Sequence, residues 1–334
     1  MLRICLIICL ALGIQSSEAR ECIKNGSALP KSYNKIIQHC EDLYNKLPLD
    51  KSTGEIANPA DRVPHYRHYR PTYIRYDKDC FFRWKDLHCY TQDFIGENVG
   101  AIFEPGSSRP FCTGFRIRSD IIVTAGHCNE GISNGAVMRL YAHPLDEIRI
   151  GSKIEVPDRG PRLPDLDDFA LYKLDKPDTA STWNFQTFSR DVKSGQAIFI
   201  VAPSLISVEA LDSNARVENW LEQIRFSRAP SNQIFLPNEM HEPVEARLPS
   251  EECLFHQDST FTGMSGAPII ASTRAKELGG VPTFRVIGIH LRNGGFSEDD
   301  RATGCGYHHP FNVGIKIPAS VLDAIYPVQA NGQR

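Results

Sequence analysis

Cys-x-x-Cys pairs are missing from this 334-residue chain, which removes the usual sequence signature of a structural zinc site. Excess positive charge is missing too. Lys and Arg total 37 against 40 Asp and Glu, a formal net charge of −3, which argues against nucleic-acid binding as the role of the whole chain. Beyond the first residues, no apolar run approaches the length needed to span a bilayer. Helical periodicity is scarce, internal repeats are absent, and no loop carries a calcium-binding pattern. No metal and no cofactor is expected.

The amino-terminal end has the makings of a secretory signal. Met1-Leu-Arg3 is a short basic start, Ile4 to Ile14 an apolar run, and Ser17-Glu18-Ala19 a set of small residues at cleavage spacing. Residues 1–19 are therefore read as a signal peptide, with no membrane association after its removal and a secreted or periplasmic, extracellular-type destination. Of ten cysteines, Cys5 and Cys9 leave with the signal, so eight remain: Cys22, Cys40, Cys80, Cys89, Cys112, Cys128, Cys253 and Cys305. An even number in an exported chain suggests disulfides. The sequence Asn25-Gly-Ser27 is a glycosylation acceptor triplet, a common pattern.

Residues 20–95 differ from the rest of the chain. Leu47 to Pro64 is polar and turn-rich, as linkers are. Pro64 to Trp84 interleaves aromatics with cations, including Tyr66, Arg67, Tyr69, Arg70, Tyr73 and Arg75. Such a pattern can stack on nucleic acid or sugar, but no second cluster supports a binding groove. A cysteine-containing extension or pro-segment packed on the main domain is the preferred reading.

From residue 96 to 330 the chain becomes a series of short β-type runs separated by Gly, Pro, Asn and Asp. Examples are Gly114–Ile117, Ile121–Thr124, Ala136–Tyr141, Phe169–Leu174, Ala197–Val201, Gln233–Leu236, Phe284–His290 and Asn312–Ile317. Frequent short strands with turns between them indicate antiparallel sandwiches or barrels, and the length suits two barrels packed together. One helix is expected at Pro318–Ile325, where Val321, Leu322 and Ile325 share a face.

Three segments supply a nucleophilic hydrolase. In Phe261-Thr-Gly-Met-Ser-Gly-Ala-Pro-Ile-Ile270 a serine stands between glycines, where the backbone can turn sharply and approach a substrate. Serine needs an imidazole to take its proton and a carboxylate to orient that imidazole. Ile122-Val-Thr-Ala-Gly-His-Cys128 supplies the histidine, and Leu166-Asp-Asp-Phe-Ala-Leu171 the carboxylate. Asp167 competes with Asp168, but the alternation into Phe169, Ala170 and Leu171 favours Asp168. The histidines His290, His308 and His309 lack a following cysteine.

The order His…Asp…Ser, with Thr124-Ala-Gly-His-Cys128, Asp168-Phe-Ala-Leu171 and Gly263-Met-Ser-Gly-Ala-Pro268, resembles the chymotrypsin-like serine proteases. The resemblance covers roughly residues 97–330. It implies an all-β fold of two packed antiparallel six-stranded β-barrels with a short C-terminal helix. It also implies a secreted, monomeric serine endopeptidase acting on protein or peptide substrates through an acyl-enzyme. By the same resemblance His127 is the general base, Asp168 orients it, Ser265 attacks, and the N–H groups of Gly263 and Ser265 form the oxyanion hole. Cys112–Cys128 corresponds to the family's bridge beside the histidine, and Cys253–Cys305 flanks the serine segment. Cys22–Cys40 and Cys80–Cys89 are the simplest remaining pairs.

Two departures qualify the resemblance. Trypsin-type enzymes carry Asp just before the nucleophile to pair with a freed amino terminus; here Met264 stands there, and an Ile-Val-Gly-Gly start is missing. The usual zymogen latch is therefore expected to be absent, so residues 20–95 would restrain activity only by another route. Counting back from Ser265 puts Ser259 at the pocket base, which argues against a trypsin-like preference. Thr260, together with Val286-Ile-Gly-Ile-His290 and Phe311-Asn-Val-Gly-Ile315, resembles the glutamyl-endopeptidase branch, implying a preference for Glu or Asp before the scissile bond. A hydroxyl and an imidazole can make charge-assisted hydrogen bonds to an acid. The insertion Asn293–Tyr307 can reshape that wall. The rival reading from another class is a catalytically silent, protease-like binding protein, which would be expected to have lost a triad residue or an oxyanion glycine.

Overall fold

Proline punctuates the strands of this chain. Three of them begin on Pro110, Pro268 and Pro282, the strand position where a missing N–H costs no ladder bond. The computed structural model describes residues 81–82, 89–107, 109–156, 163–175, 187–196, 198–200, 202, 226–227, 234–237, 250–256, 260, 263–274, 282–292, 304–305 and 312–325.

In chain order, β1 (Phe81–Phe82) and α1 (Cys89–Gly96) come first. The strands β2 (Val99–Phe103), β3 (Pro110–Arg118) and β4 (Ile121–Thr124) follow. After a single 3₁₀ turn, Gly126–Cys128, come α2 (Asn129–Ser133), β5 (Val137–Leu140), β6 (Ile148–Ile154) and β7 (Ala170–Leu174). The second half holds β8 (Ile198–Ile200), β9 (Phe226–Ser227), β10 (Ile234–Phe235), β11 (Cys253–His256), β12 (Pro268–Arg274), β13 (Pro282–Arg292), β14 (Asn312–Lys316) and α3 (Ala319–Ile325).

The first half closes into a barrel in the order β2-β3-β4-β7-β6-β5. The second is a six-stranded barrel-like sheet in the order β10-β11-β14-β13-β12-β8. Both are antiparallel, so the all-β, two-barrel expectation holds, and the C-terminal helix forms where its apolar face predicted it. The helix α1 was not legible in advance. It packs into the first barrel through Ile95, fully buried, while Phe94 meets Phe284 of β13 with ring centroids 4.9 Å apart. The folded body therefore includes residues upstream of 96, and β1 pairs with β9.

Strands of the second barrel are apolar on both faces because each face buries a different core. Along β12 and β13, Ile269, Ala271 and Ile287 enter one cluster, while Ile270, Val286 and Ile289 enter the other. Along β12 this alternation follows from the two-residue period of a strand; on β13 the register shift opposite Ile269 and Ile270 leaves Ile287 as an extra residue, so Val286 and Ile289 face the same core. The larger cluster runs continuously from the first barrel into the second, with Phe115, Ile122, Leu171, Phe255, Ile289, Ile315 and Val321 all in it. The seam between the barrels is thus set by a shared core, and the segments that carry His127, Asp168 and Ser265 lie along it.

Candidate active site

The strand β4 delivers His127. Its apolar residues, Ile121 to Val123, are buried in the barrel, and the chain then turns tightly through Gly126–Cys128. The Cys112–Cys128 disulfide ties this turn back to β3. A second tether comes from β7, where the Tyr172 hydroxyl donates to Asn129 Oδ1 at 2.6 Å. Burial pushes the Tyr172 phenol up to about 12, so this donor keeps its proton through the physiological range.

Asp168 lies two residues before β7. Its Oδ1 accepts the His127 backbone N–H at 2.7 Å, and its Oδ2 lies 2.8 Å from His127 Nδ1. A carboxylate only accepts, so Nδ1 carries the proton and Nε2 is left with a lone pair. Of the two adjacent acids, Asp168 is the one that meets the imidazole. The histidine side chain is 47% exposed and the aspartate 17%, which fits a base that must reach substrate and an orienting group that need not.

Ser265 sits on a turn held from both barrels. Gly263 and Gly266 adopt φ of 94° and 87°, values that side-chain-bearing residues rarely reach. From the first barrel, the Thr113 N–H donates to Ser265 O at 2.8 Å and Thr113 Oγ1 donates to Gly263 O at 2.8 Å. Thr124 Oγ1 in turn donates to Thr113 O at 2.7 Å. From the second barrel, Gly266 N–H donates to His290 O, and His290 N–H to Ala267 O, each at 2.8 Å. A methyl group on Gly266 would lie 2.2 Å from Thr113 O and 2.3 Å from Thr124 Oγ1. Only glycine lets the serine turn come this close to the strands that carry His127. Among the described residues no acceptor takes the N–H of Gly263 or Ser265, which leaves two donors for a ligand.

Met264 is fully buried among Ile198, Ile200, Ile234, Leu254 and Ile269. An ammonium group has no partner in such surroundings. On the specificity side, Thr260 and His290 are both buried, and Ser259 lies outside the described residues. His290 Nδ1 is 3.2 Å from Nε2 of His256, with ring centroids 5.2 Å apart. His256 went unremarked in the sequence because nothing local links it to a residue on β13.

The Cys253–Cys305 disulfide is present as expected. Cys22, Cys40 and Cys80 lie outside the described residues, as does the side chain of Cys89, so those pairings do too. Sulfurs of Cys112 and Cys128 come within 4.8 Å of a His127 ring nitrogen, but they are spent on the disulfide and offer no thiolate to a metal. A cavity of about 310 Å³ opens behind the site, where Leu166, Asp167, Phe169, Arg190, Glu252 and Ser320 contribute to its wall. Neither His127 nor Ser265 lines it.

Fold and site thus define a two-barrel hydrolase, and comparison with known proteins names the class. The trypsin family model matches residues 99–303. The chain belongs to the trypsin family and is a serine endopeptidase. Among solved structures it is similar to neuropsin, a serine protease expressed in the limbic system of mouse brain. That likeness has 18% identity, a TM-score of 0.44, and coverage of 66% of this chain and 90% of neuropsin. It is also similar to kallikrein-related peptidase 10, at 16% identity and TM-score 0.44, covering 69% of this chain and 95% of that one. No curated protein matches. The family match is to the trypsin family as a whole and lends no support to the branch-level resemblance. Among the described residues, no helix is long and apolar enough to cross a membrane.

Proposed function

We propose that His127, Asp168 and Ser265 are the catalytic triad of a secreted endopeptidase. The double contact of Asp168 with the backbone and ring of His127 is the observation that carries this reading. Ser265 Oγ attacks the scissile carbonyl carbon while its proton passes to His127 Nε2. The carbonyl oxygen, now an anion, is met by the N–H groups of Gly263 and Ser265. Loss of one such donor typically costs about 10²–10³ in rate. The tetrahedral centre collapses, the C–N bond breaks, and His127 hands its proton to the departing amine. Water, deprotonated by His127, then attacks the ester and frees Ser265. Asp168 orients the imidazole and stabilises the imidazolium.

A fluorophosphonate probe tests this directly. Wild type is expected to be labelled once folded and processed, and Ser265→Ala is expected to lose labelling entirely. Labelling that persists in the alanine variant, or never appears in folded wild type, would count against the triad.

For specificity we infer a preference for Glu or Asp before the scissile bond. Thr260 and His290 support it: both are buried polar groups, and the His290 backbone is bonded to Gly266 and Ala267, the two residues that follow Ser265. A peptide-library cleavage profile decides the matter. A profile without acidic enrichment, or one that His290→Ala leaves unchanged, refutes the preference.

Activation by a freed amino terminus has no support from Met264, so restraint by residues 20–95 covering the cleft is the proposed alternative. Since Ile95 is part of the core, removal of the extension is expected to spare α1. Sequencing the mature amino terminus tests that boundary.

A further inference from the structure

Asp165 lies three residues before Asp168, and its side chain leaves the first barrel altogether. Both carboxylate oxygens face the Arg292 guanidinium of β13: Nε donates to Oδ1 and an Nη2 hydrogen to Oδ2, each at 3.0 Å. Oδ2 also accepts the backbone N–H of Cys305 at 3.0 Å, and Cys305 is held by its disulfide to Cys253 at the start of β11. The carboxylate is 5% exposed. Meanwhile the Asp165 carbonyl accepts the N–H of Asp168 at 3.2 Å. The same loop is closed by Leu163 O, which accepts from Leu166 N and Asp167 N at 2.9 and 3.1 Å.

One residue therefore holds the Asp168 segment with its backbone and the second barrel with its side chain. A planar guanidinium gripping a carboxylate through two parallel bonds fixes orientation as well as distance. A loop-borne catalytic group needs such a brace, because displacement by about 1 Å can cost on the order of 10²-fold in rate. We propose that Asp165, through Arg292 and Cys305, is a positioning residue that seats Asp168 against His127. This inference rests on the triad reading. It makes the acid–base pair of the first barrel depend on an anchor in the second, close to the strand that bonds the Ser265 turn.

The test measures kcat and KM of the full chain on one peptide substrate, normalised to fluorophosphonate-titrated active sites so that misfolded protein does not count. Asp165→Asn keeps size and loses the charge. Its kcat is expected to fall about 10- to 100-fold with KM within about threefold of wild type, a split that a loss of stability alone would not produce. Arg292→Gln is expected to lower kcat in the same way, and Arg292→Lys, which keeps the charge, to recover part of it. Should Asp165→Asn fail to fold, the two Arg292 variants carry the test. Wild-type kcat per titrated site in Asp165→Asn or in Arg292→Gln overturns the proposal while leaving the triad intact. A folded wild type that never labels overturns both.

Discussion

The two barrels divide the work unequally. The first is closed and supplies the proposed proton-handling pair, with His127 just after β4 and Asp168 just before β7, strands that pair directly from Ile121–Lys173 to Thr124–Ala170. The second supplies the proposed nucleophile and specificity wall from turns and strand ends: the Ser265 turn before β12 and His290 near the end of β13. His127 and Asp168 thus flank two paired strands of one sheet, with a single brace from Asp165 across to Arg292, whereas the Ser265 turn is bonded directly from both barrels. Thr113 and Gly266 make that contact intimate.

The sharpest way to separate the two is to remove the pair inside the first barrel. Asp168→Asn preserves shape but presents an amide N–H where the imidazole needs an acceptor. It is expected to lower kcat by about 10⁴-fold with a thermal midpoint close to wild type; a loss below about tenfold would show that the carboxylate is not the orienting group.

A smaller effect is expected across the seam. Thr113→Val removes the hydroxyl donor to Gly263 O and leaves the Thr113 N–H bond to Ser265 O in place. About 1 kcal/mol of stability and roughly tenfold in kcat should go. Thermal unfolding and titrated kinetics check the two numbers, and an unchanged kcat would mean that the serine turn holds its shape without the first barrel.

The mildest perturbation concerns alkaline stability. The Tyr172 phenol ionises near 10 in the unfolded chain but only at about 12 when folded. Below pH 10 both states keep the proton, so nothing is lost. Between pH 10 and 12 the unfolded state sheds it first, and stability falls as pH rises. Tyr141, also raised by burial, adds to the decline in the same direction. Tyr172→Phe should cost about 1 kcal/mol at neutral pH and flatten the fall above pH 10 in denaturant titrations. A fall as steep as that of wild type would assign it to other groups.

Legibility in the sequence divides along the same line. His127, Asp168 and Ser265 sit in short local patterns of strand, turn and small residues, and two disulfides were readable beside them. The brace from Asp165 to Arg292 joins residues 127 positions apart, with no local pattern to announce it. The same holds for His256 and His290. The helix α1 escaped because, among its described side chains, the face turned to the core amounts to little more than Phe94 and Ile95, too brief for a periodic signal. Proximity made by folding leaves no mark on spacing.

Met264 has a consequence outside catalysis. Its thioether is oxidisable, yet it is 0% exposed, one residue from Ser265. Peroxide reaches such a sulfur only when the surrounding structure opens, and the sulfoxide that forms is too polar to return to an apolar niche. The rate at which Met264 gains oxygen in peptide mapping therefore times the opening of the serine turn. Met264 thereby serves as a built-in clock for how often the support of the Ser265 turn comes apart.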